Sequence, residues 1–254
     1  MEVTFDDKMV EGKKFDDAGD YNTAEVVFTE AIEMNPNSDE AYFQRGRIYL
    51  FDLKNYEKAE SDFSQAIQFV PDNDWYYKMR GDVHYNMKQF EKAIDDYTKS
   101  IQINPNGPEF YFMRGNAALE LKQYDAAIAD ITRAIRLNPF SDIYYSGRSW
   151  IYIKMKQFQR SLFDCNKAID LEPEEASYYD SRGWAYLGLK KYSAALSDFT
   201  KSIEIDYNHA LSYYGRGKCY QALGKFTNAE ADFAKVKEIG ISQSEIAFVE
   251  EILD

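Results

Sequence analysis

The chain has 254 residues, 45% hydrophobic and 16% aromatic, with a formal net charge of −13. That is apolar mass enough for one large domain or two small ones, and the acid excess works against nucleic acid and anionic lipid as partners. Cys165 and Cys219 stand alone and far apart, which excludes a disulfide framework or a zinc spacing; both are expected as small buried hydrophobes in a reducing compartment.

In chain order, the opening "MEVTFDDKMVEGKK" is acidic and carries no apolar leader-like run. No later stretch has the length of a bilayer span, so the expectation is a cytoplasmic protein with no membrane insertion. The chain then repeats one phrase. Pro36, Pro71, Pro105, Pro139 and Pro173 are spaced 35, 34, 34 and 34 residues apart and close "AIEMNP", "AIQFVP", "SIQINP", "AIRLNP" and "AIDLEP". The next phrase, "SIEIDY", has Tyr207 in the proline's place, and the last, "VKEIGI", is the most degraded. In step with these run "YFQRG", "YKMRG", "YFMRG", "YSGRS", "YDSRG" and "YYGRG". A third series sets an aromatic three residues before a small residue, from Tyr21 and Ala24 to Phe226 and Ala229.

The spacing divides the chain into seven repeats, at approximately 5–38, 39–73, 74–107, 108–141, 142–175, 176–209 and 210–243, within a single domain over 1–254, and the family resemblance drawn from these phrases implies two antiparallel helices in each, fourteen in all. Small residues such as Gly183 and Ala195 are expected where two helices cross closely. Each proline ends a second helix, since it cannot continue the ladder. Repeat two holds one extra residue between Gly46 and Ala59, expected in the "FDLKN" turn, where insertion costs least. Repeat one has Lys8 and Glu11 in the tyrosine and arginine places, polar replacements that suit a terminal repeat. A final amphipathic helix is expected at approximately 244–254, with Ser244 as its N-cap and Ile246, Val249, Ile252 and Leu253 as its stripe. It should cap the last repeat; the alternative is a segment that docks into a neighbouring molecule.

These phrases resemble the tetratricopeptide repeat over about residues 5 to 241. The resemblance implies an all-α, right-handed superhelical solenoid of helix-turn-helix repeats. The concave side, lined by the first helix of each repeat, would bind a protein or peptide. Carried onto this register, the groove-facing candidates are Phe43, Arg47, Trp75, Met79, Phe112, Met113, Asn116, Trp150, Trp184, Tyr214 and Lys218. Aromatic and Met side chains at such places are anchors for a peptide. The small Gly147, Ser181 and Gly215 are expected to leave pockets beside Trp150, Trp184 and Tyr214. The alternative is that these aromatics pack on one another across the inner wall. Some family members clamp the C-terminal carboxylate of chaperones with Lys and Asn from successive repeats. Here Asn116 is kept, but Phe112 and Gly147 fill the matching Lys and Asn places, so chaperone-tail binding by that mode is not expected.

One departure from the family recurs. Arg45, Arg80, Arg114, Arg148, Arg182 and Arg216 stand where a Leu-like residue is usual, and Asp62, Asp96, Asp130, Asp164, Asp198 and Asp232 recur in the same six repeats. Repeat one has Glu11 and Val27 and lacks both. A guanidinium among packed helices is costly unless a carboxylate neutralises it, so the series reads as a structural ion pair, within a repeat or to the next. The alternatives are a ladder of arginines gripping an anionic small ligand, and self-assembly through the end faces. His84 is expected as a satisfied core histidine and His209 in an inter-repeat turn. No nucleophile elbow, phosphate loop or metal spacing is present, so the sequence implies neither an enzyme nor a cofactor.

Overall fold

The computed structural model describes residues 3–242, 246–247 and 249–251. Among these, fourteen α-helices and no strands are found. They run α1 Phe5–Asp17, α2 Tyr21–Met34, α3 Asp39–Phe51, α4 Tyr56–Phe69, α5 Asp74–Asn86, α6 Phe90–Ile103 and α7 Pro108–Glu120. The second half holds α8 Tyr124–Leu137, α9 Asp142–Lys154, α10 Phe158–Leu171, α11 Ala176–Gly188, α12 Tyr192–Ile205, α13 Ala210–Ala222 and α14 Phe226–Ile239. Residues 246–247 and 249–251 are also helical; Ser244, Ile252 and Leu253 of the expected terminal helix lie outside the described residues. Two compact units divide the chain, Met1–Gln123 with α1–α7 and Tyr124–Asp254 with α8–α14 and the terminal segment.

Within each unit, consecutive helices pack on one another as hairpins, and first helices also touch the first helices of adjacent hairpins, α3 with α5 and α11 with α9 and α13. The turns explain the boundaries. Inside each hairpin the chain reverses through one residue in the left-handed region: Gly19 and Gly224 at the two ends, but Lys54, Lys88, Lys122, Lys156 and Lys190 between. The extra residue of repeat two falls in that turn, which runs over 52–55 rather than three residues as at 87–89. Between hairpins the residue before each proline leaves the helix, as at Asn35 (φ −135°, ψ 86°) and Asn104 (φ −130°, ψ 92°), because the pyrrolidine ring disfavours α geometry there. Asp206 does the same (φ −125°, ψ 100°) although Tyr207 follows it. There the stacking of neighbouring hairpins holds the bend without a proline. Side chains of Thr4, Asp20, Ser38, Asn55 and Asn73 cap α1 to α5 by accepting from early backbone N–H groups.

The repeated glycine is where the hairpin closes. A Cβ on Gly81 would lie 2.7 Å from the Tyr97 ring, and one on Gly183 2.7 Å from Phe199. These rings, with Phe28 and Phe63, are fully buried and form the core of their four hairpins. Repeat one forms its own outer surface, with Lys8 bridging Glu11 and Glu30 at 2.8 Å each. Both cysteines are buried and unpaired, and burial pushes the Cys165 thiol up to about 11.

Candidate functional site: the inner wall

The repeated arginines come first, because their chemistry is the most conspicuous. Arg182 donates through Nε and Nη2 to the two oxygens of Asp198, both at 2.8 Å. Arg45–Asp62, Arg80–Asp96, Arg148–Asp164 and Arg216–Asp232 form the same fork, at 2.7 to 3.0 Å. The third arm reaches back one repeat. Nη1 donates to Thr29 from Arg45 (3.0 Å), to Ser64 from Arg80 (3.2 Å), to Thr98 from Arg114 (3.0 Å), to Thr132 from Arg148 (2.9 Å), and to Asn166 from Arg182 (2.8 Å). The tyrosine three residues earlier covers the guanidinium face, at 5.5 Å for Tyr179 and Arg182. The pairing is thus within a repeat, and the third donor links neighbouring repeats. With Nε and both terminal nitrogens engaged, the ladder is built for structure and has few donors left for an anion.

His84 is 5% exposed and lies between two carboxylates. Its Nε2 is 3.1 Å from Glu60, and its Nδ1 is 3.0 Å from Asp96 but off the hydrogen-bond line. Burial alone would lower the imidazole pKa; Asp96 and Glu60 outweigh it and hold it above the ordinary value. In return, His84 and Arg80 overcome the burial that would raise Asp96 and keep its carboxyl below the usual range. A second cluster joins α11, α12 and α13. Ser212 Oγ donates to Asp180 at 2.7 Å and lies 3.0 Å from His209 Nδ1 and 2.8 Å from Ser202 Oγ. The residue types are those of a hydrolase triad, but the order is wrong. The carboxylate accepts the hydrogen bond of the serine hydroxyl rather than orienting the imidazole, and Ser212 is fully buried. The cluster fastens two repeats together. Among the described residues, no group of His, Cys, Asp and Glu could hold a metal.

The candidates carried onto the inner wall divide by unit. In the first unit, Trp75 is 44% exposed at the start of α5. Its ring stands edge-on to Phe110 at 5.9 Å and under the Lys78 ammonium at 5.6 Å, while Lys78 pairs with Asp82 at 2.6 Å. Phe43 is half-buried, 5.1 Å from Tyr76, whose hydroxyl donates to Asp39. Arg47 donates to Gln44 at 2.7 Å and lies 4.0 Å from Asp16. Met113 packs half-buried on Ala93, Tyr97 and Ala117; Phe112 and Asn116 are half-buried too. Met79 is a core residue among Tyr49, Phe63 and Val83, not an exposed anchor.

In the second unit, Trp150 is half-buried, with the Lys154 ammonium 5.9 Å from its ring. Trp184 is fully buried, donating Nε1–H to Asp180 at 3.1 Å and meeting Phe199 edge-on at 5.3 Å. Its expected exposure is corrected: it is core. The pockets expected beside Trp184 and Tyr214 are corrected as well. Ser181 and Gly215 are buried, and a Cβ on Gly215 would lie 2.3 Å from Phe199, so the small side chain admits a neighbouring ring rather than a ligand. Tyr214 is nearly buried, and its hydroxyl donates to Glu250 at 2.7 Å; Lys218 pairs with the same carboxylate at 3.0 Å. Val249 is fully buried and Ile246 packs beside it, so the terminal segment covers the last repeat as expected.

Two participants escaped sequence reasoning. Tyr76 and Phe110 flank the exposed wall, and Tyr178 donates to Asp142 in the same manner as Tyr76 to Asp39. The signal was present in the doubled aromatics Tyr76–Tyr77, Phe110–Tyr111, Tyr144–Tyr145 and Tyr178–Tyr179, which recur at the repeat period.

Comparison with known proteins agrees with this architecture. Family models described as tetratricopeptide repeat match residues 27–61, 75–106, 108–141, 144–175, 176–209 and 210–239. No curated protein matches in sequence. Among solved structures, a tetratricopeptide repeat protein from Parabacteroides merdae ATCC 43184 is 22% identical with a TM-score of 0.77, over 98% of this chain and 99% of that one. YrrB, described as a TPR protein with an unusual peptide-binding site, is 20% identical with a TM-score of 0.59, over 73% and 95%. In the APC/C hetero-tetramer Cut9-Hcn1 the similarity is 15% identity and a TM-score of 0.73, over 96% of this chain and 48% of that one.

Proposed function

The chain belongs to the tetratricopeptide repeat family, and on that premise we propose that it is a protein-interaction scaffold, one repeat domain whose inner wall takes a segment of a partner protein. The observation that carries this is Trp75. The other large rings at the close packing points of the first unit are buried, while Trp75 stays 44% exposed, held edge-on by Phe110 and from above by Lys78. A rigid aromatic fixed in place but open to solvent loses little side-chain freedom on binding, which is what an interface anchor needs. Phe43 and Phe112 extend the same wall, and Trp150 offers a second anchor in the other unit. Two likenesses support the class of partner: YrrB is described by its peptide-binding site, and Cut9 is found with Hcn1.

The test is proximity cross-linking of the wild-type chain beside Trp75→Ala and Trp150→Ala, with identification of captured proteins by mass spectrometry. Partners lost from the variants, and retained when the salt concentration is raised, support an aromatic-anchored segment. Partners unchanged in both variants overturn the assignment of the wall.

A further inference from the structure

The terminal segment does more than close the stack. It rests on two inner-wall candidates, Tyr214 and Lys218, and it presents Ile246, Val249 and Glu250, an i, i+3, i+4 set on one helix face. The carboxylate takes both polar groups of the wall, and the aliphatic pair enters the core of the last repeat. Yet it fills the site incompletely. A cleft of about 560 Å³ remains beside it, with Phe233, Val236 and Ile241 forming an apolar floor, Lys218 and Lys237 at the rim, and Ile246 as one wall. The ion pair that holds it is partly open, with side-chain exposures of 28% for Lys218 and 49% for Glu250.

We propose that this site at the end of the last repeat, shared by α13 and α14, is a docking site for an acidic amphipathic helix of a partner protein, which the chain's own terminal segment occupies in cis. The occupant carries an aliphatic residue at i+3, a carboxylate at i+4, and at position i a side chain larger than isoleucine, which fills the cleft beside Ile246. Two lysines over an apolar floor, in a chain of net charge −13, select a helix with one carboxylate aligned to its apolar stripe. The cis segment competes at high effective concentration, so the site opens only to a better-filling helix. The inference rests on the reading of the inner wall as the binding face.

The experiment uses the full chain and a fluorescein-labelled peptide of residues 242–254, SQSEIAFVEEILD, read by anisotropy. Glu250→Lys and, separately, Val249→Asp release the segment in cis. The peptide is expected to bind either variant about tenfold tighter than the wild type. An Ile246→Phe peptide is expected to bind tighter still. Adding Lys218→Glu to the Val249→Asp variant removes binding, and a Glu250→Lys peptide restores it. Equal affinity for wild type and a variant with an unchanged thermal melt overturns the proposal. So does weaker binding of the Ile246→Phe peptide, or a concentration-dependent dimer of the wild type in light scattering, which assigns the site to a second copy. Failure here with partner capture still dependent on Trp75 removes only this inference; peptide binding without such dependence removes only the assignment of the wall around Trp75.

Discussion

Each of Arg45, Arg80, Arg148, Arg182 and Arg216 serves two contacts that sequence alone presents as one. Its fork to aspartate neutralises both charges inside a hairpin, and its remaining nitrogen reaches the hydroxyl or amide of the preceding repeat. Removing the arginine alone leaves a carboxylate enclosed with nothing to balance it. Arg182→Met should therefore cost about 3–5 kcal/mol, because Asp198 stays behind with only 7% of its side chain exposed. Arg182→Met with Asp198→Leu should recover most of that loss. Urea unfolding of the three proteins measures it, and equal stability of single and double variants would refute the pairing energetics. A leucine in the same place would fill the space without the double reach, which is why the departure from the family pattern is tolerated six times.

The hairpin turn is the element where local chemistry and global form disagree most. The left-handed residue is Lys in five repeats, although a Cβ makes that conformation costly and glycine is free of the cost. Lys88→Gly and Lys190→Gly should each raise stability by about 0.5–1 kcal/mol, and Gly224→Ala should lower it by about 1 kcal/mol. Thermal melts of the three variants decide; a loss on Lys88→Gly would show that the lysine stem contributes more than its backbone costs. The turn also explains how repeat two carries an extra residue. The insertion at 52–55 lengthens a solvent-facing reversal and leaves Gly46 packed on Phe63.

For the molecule as a whole, the pH profile follows from opposed shifts around one buried histidine. His84 is raised above its ordinary 6.5 by Asp96 and Glu60, so its charged form favours folding. That contribution is complete below about 6.5 and is lost as pH rises through the raised folded value. Asp96 is held below its ordinary 3.8, so its contribution is present above about 3.8 and lost as acid titrates it. The contribution of this pair should therefore be greatest between these limits and decline toward alkaline pH, and His84→Gln should flatten that decline. Urea midpoints across pH test this; an unchanged slope in the variant would exclude His84 as its source.

The helical hairpins, their period, the extra residue in the second turn and the companionship of Arg182 with Asp198 were all legible in the amino-acid string. All of these are local or periodic, and periodicity survives in a linear string. It also indicated that the terminal segment is amphipathic, through Ile246 and Val249. Tertiary structure decided which inner-wall residues face solvent. Trp75 on α5 and Trp184 on α11 are both assigned to the inner wall by register alone, yet one is half open and the other is sealed. The difference lies in neighbours distant in sequence: Phe110 of the next repeat props the first ring from its edge, while Phe199 from the second helix of the same repeat encloses the other, with Asp180 accepting its N–H. The third arm of each arginine, the double carboxylate around His84 and the meeting of Glu250 with Tyr214 and Lys218 are of the same kind. Each joins residues from different repeats, and their distances are set by how one hairpin stacks on the next rather than by any motif the chain carries.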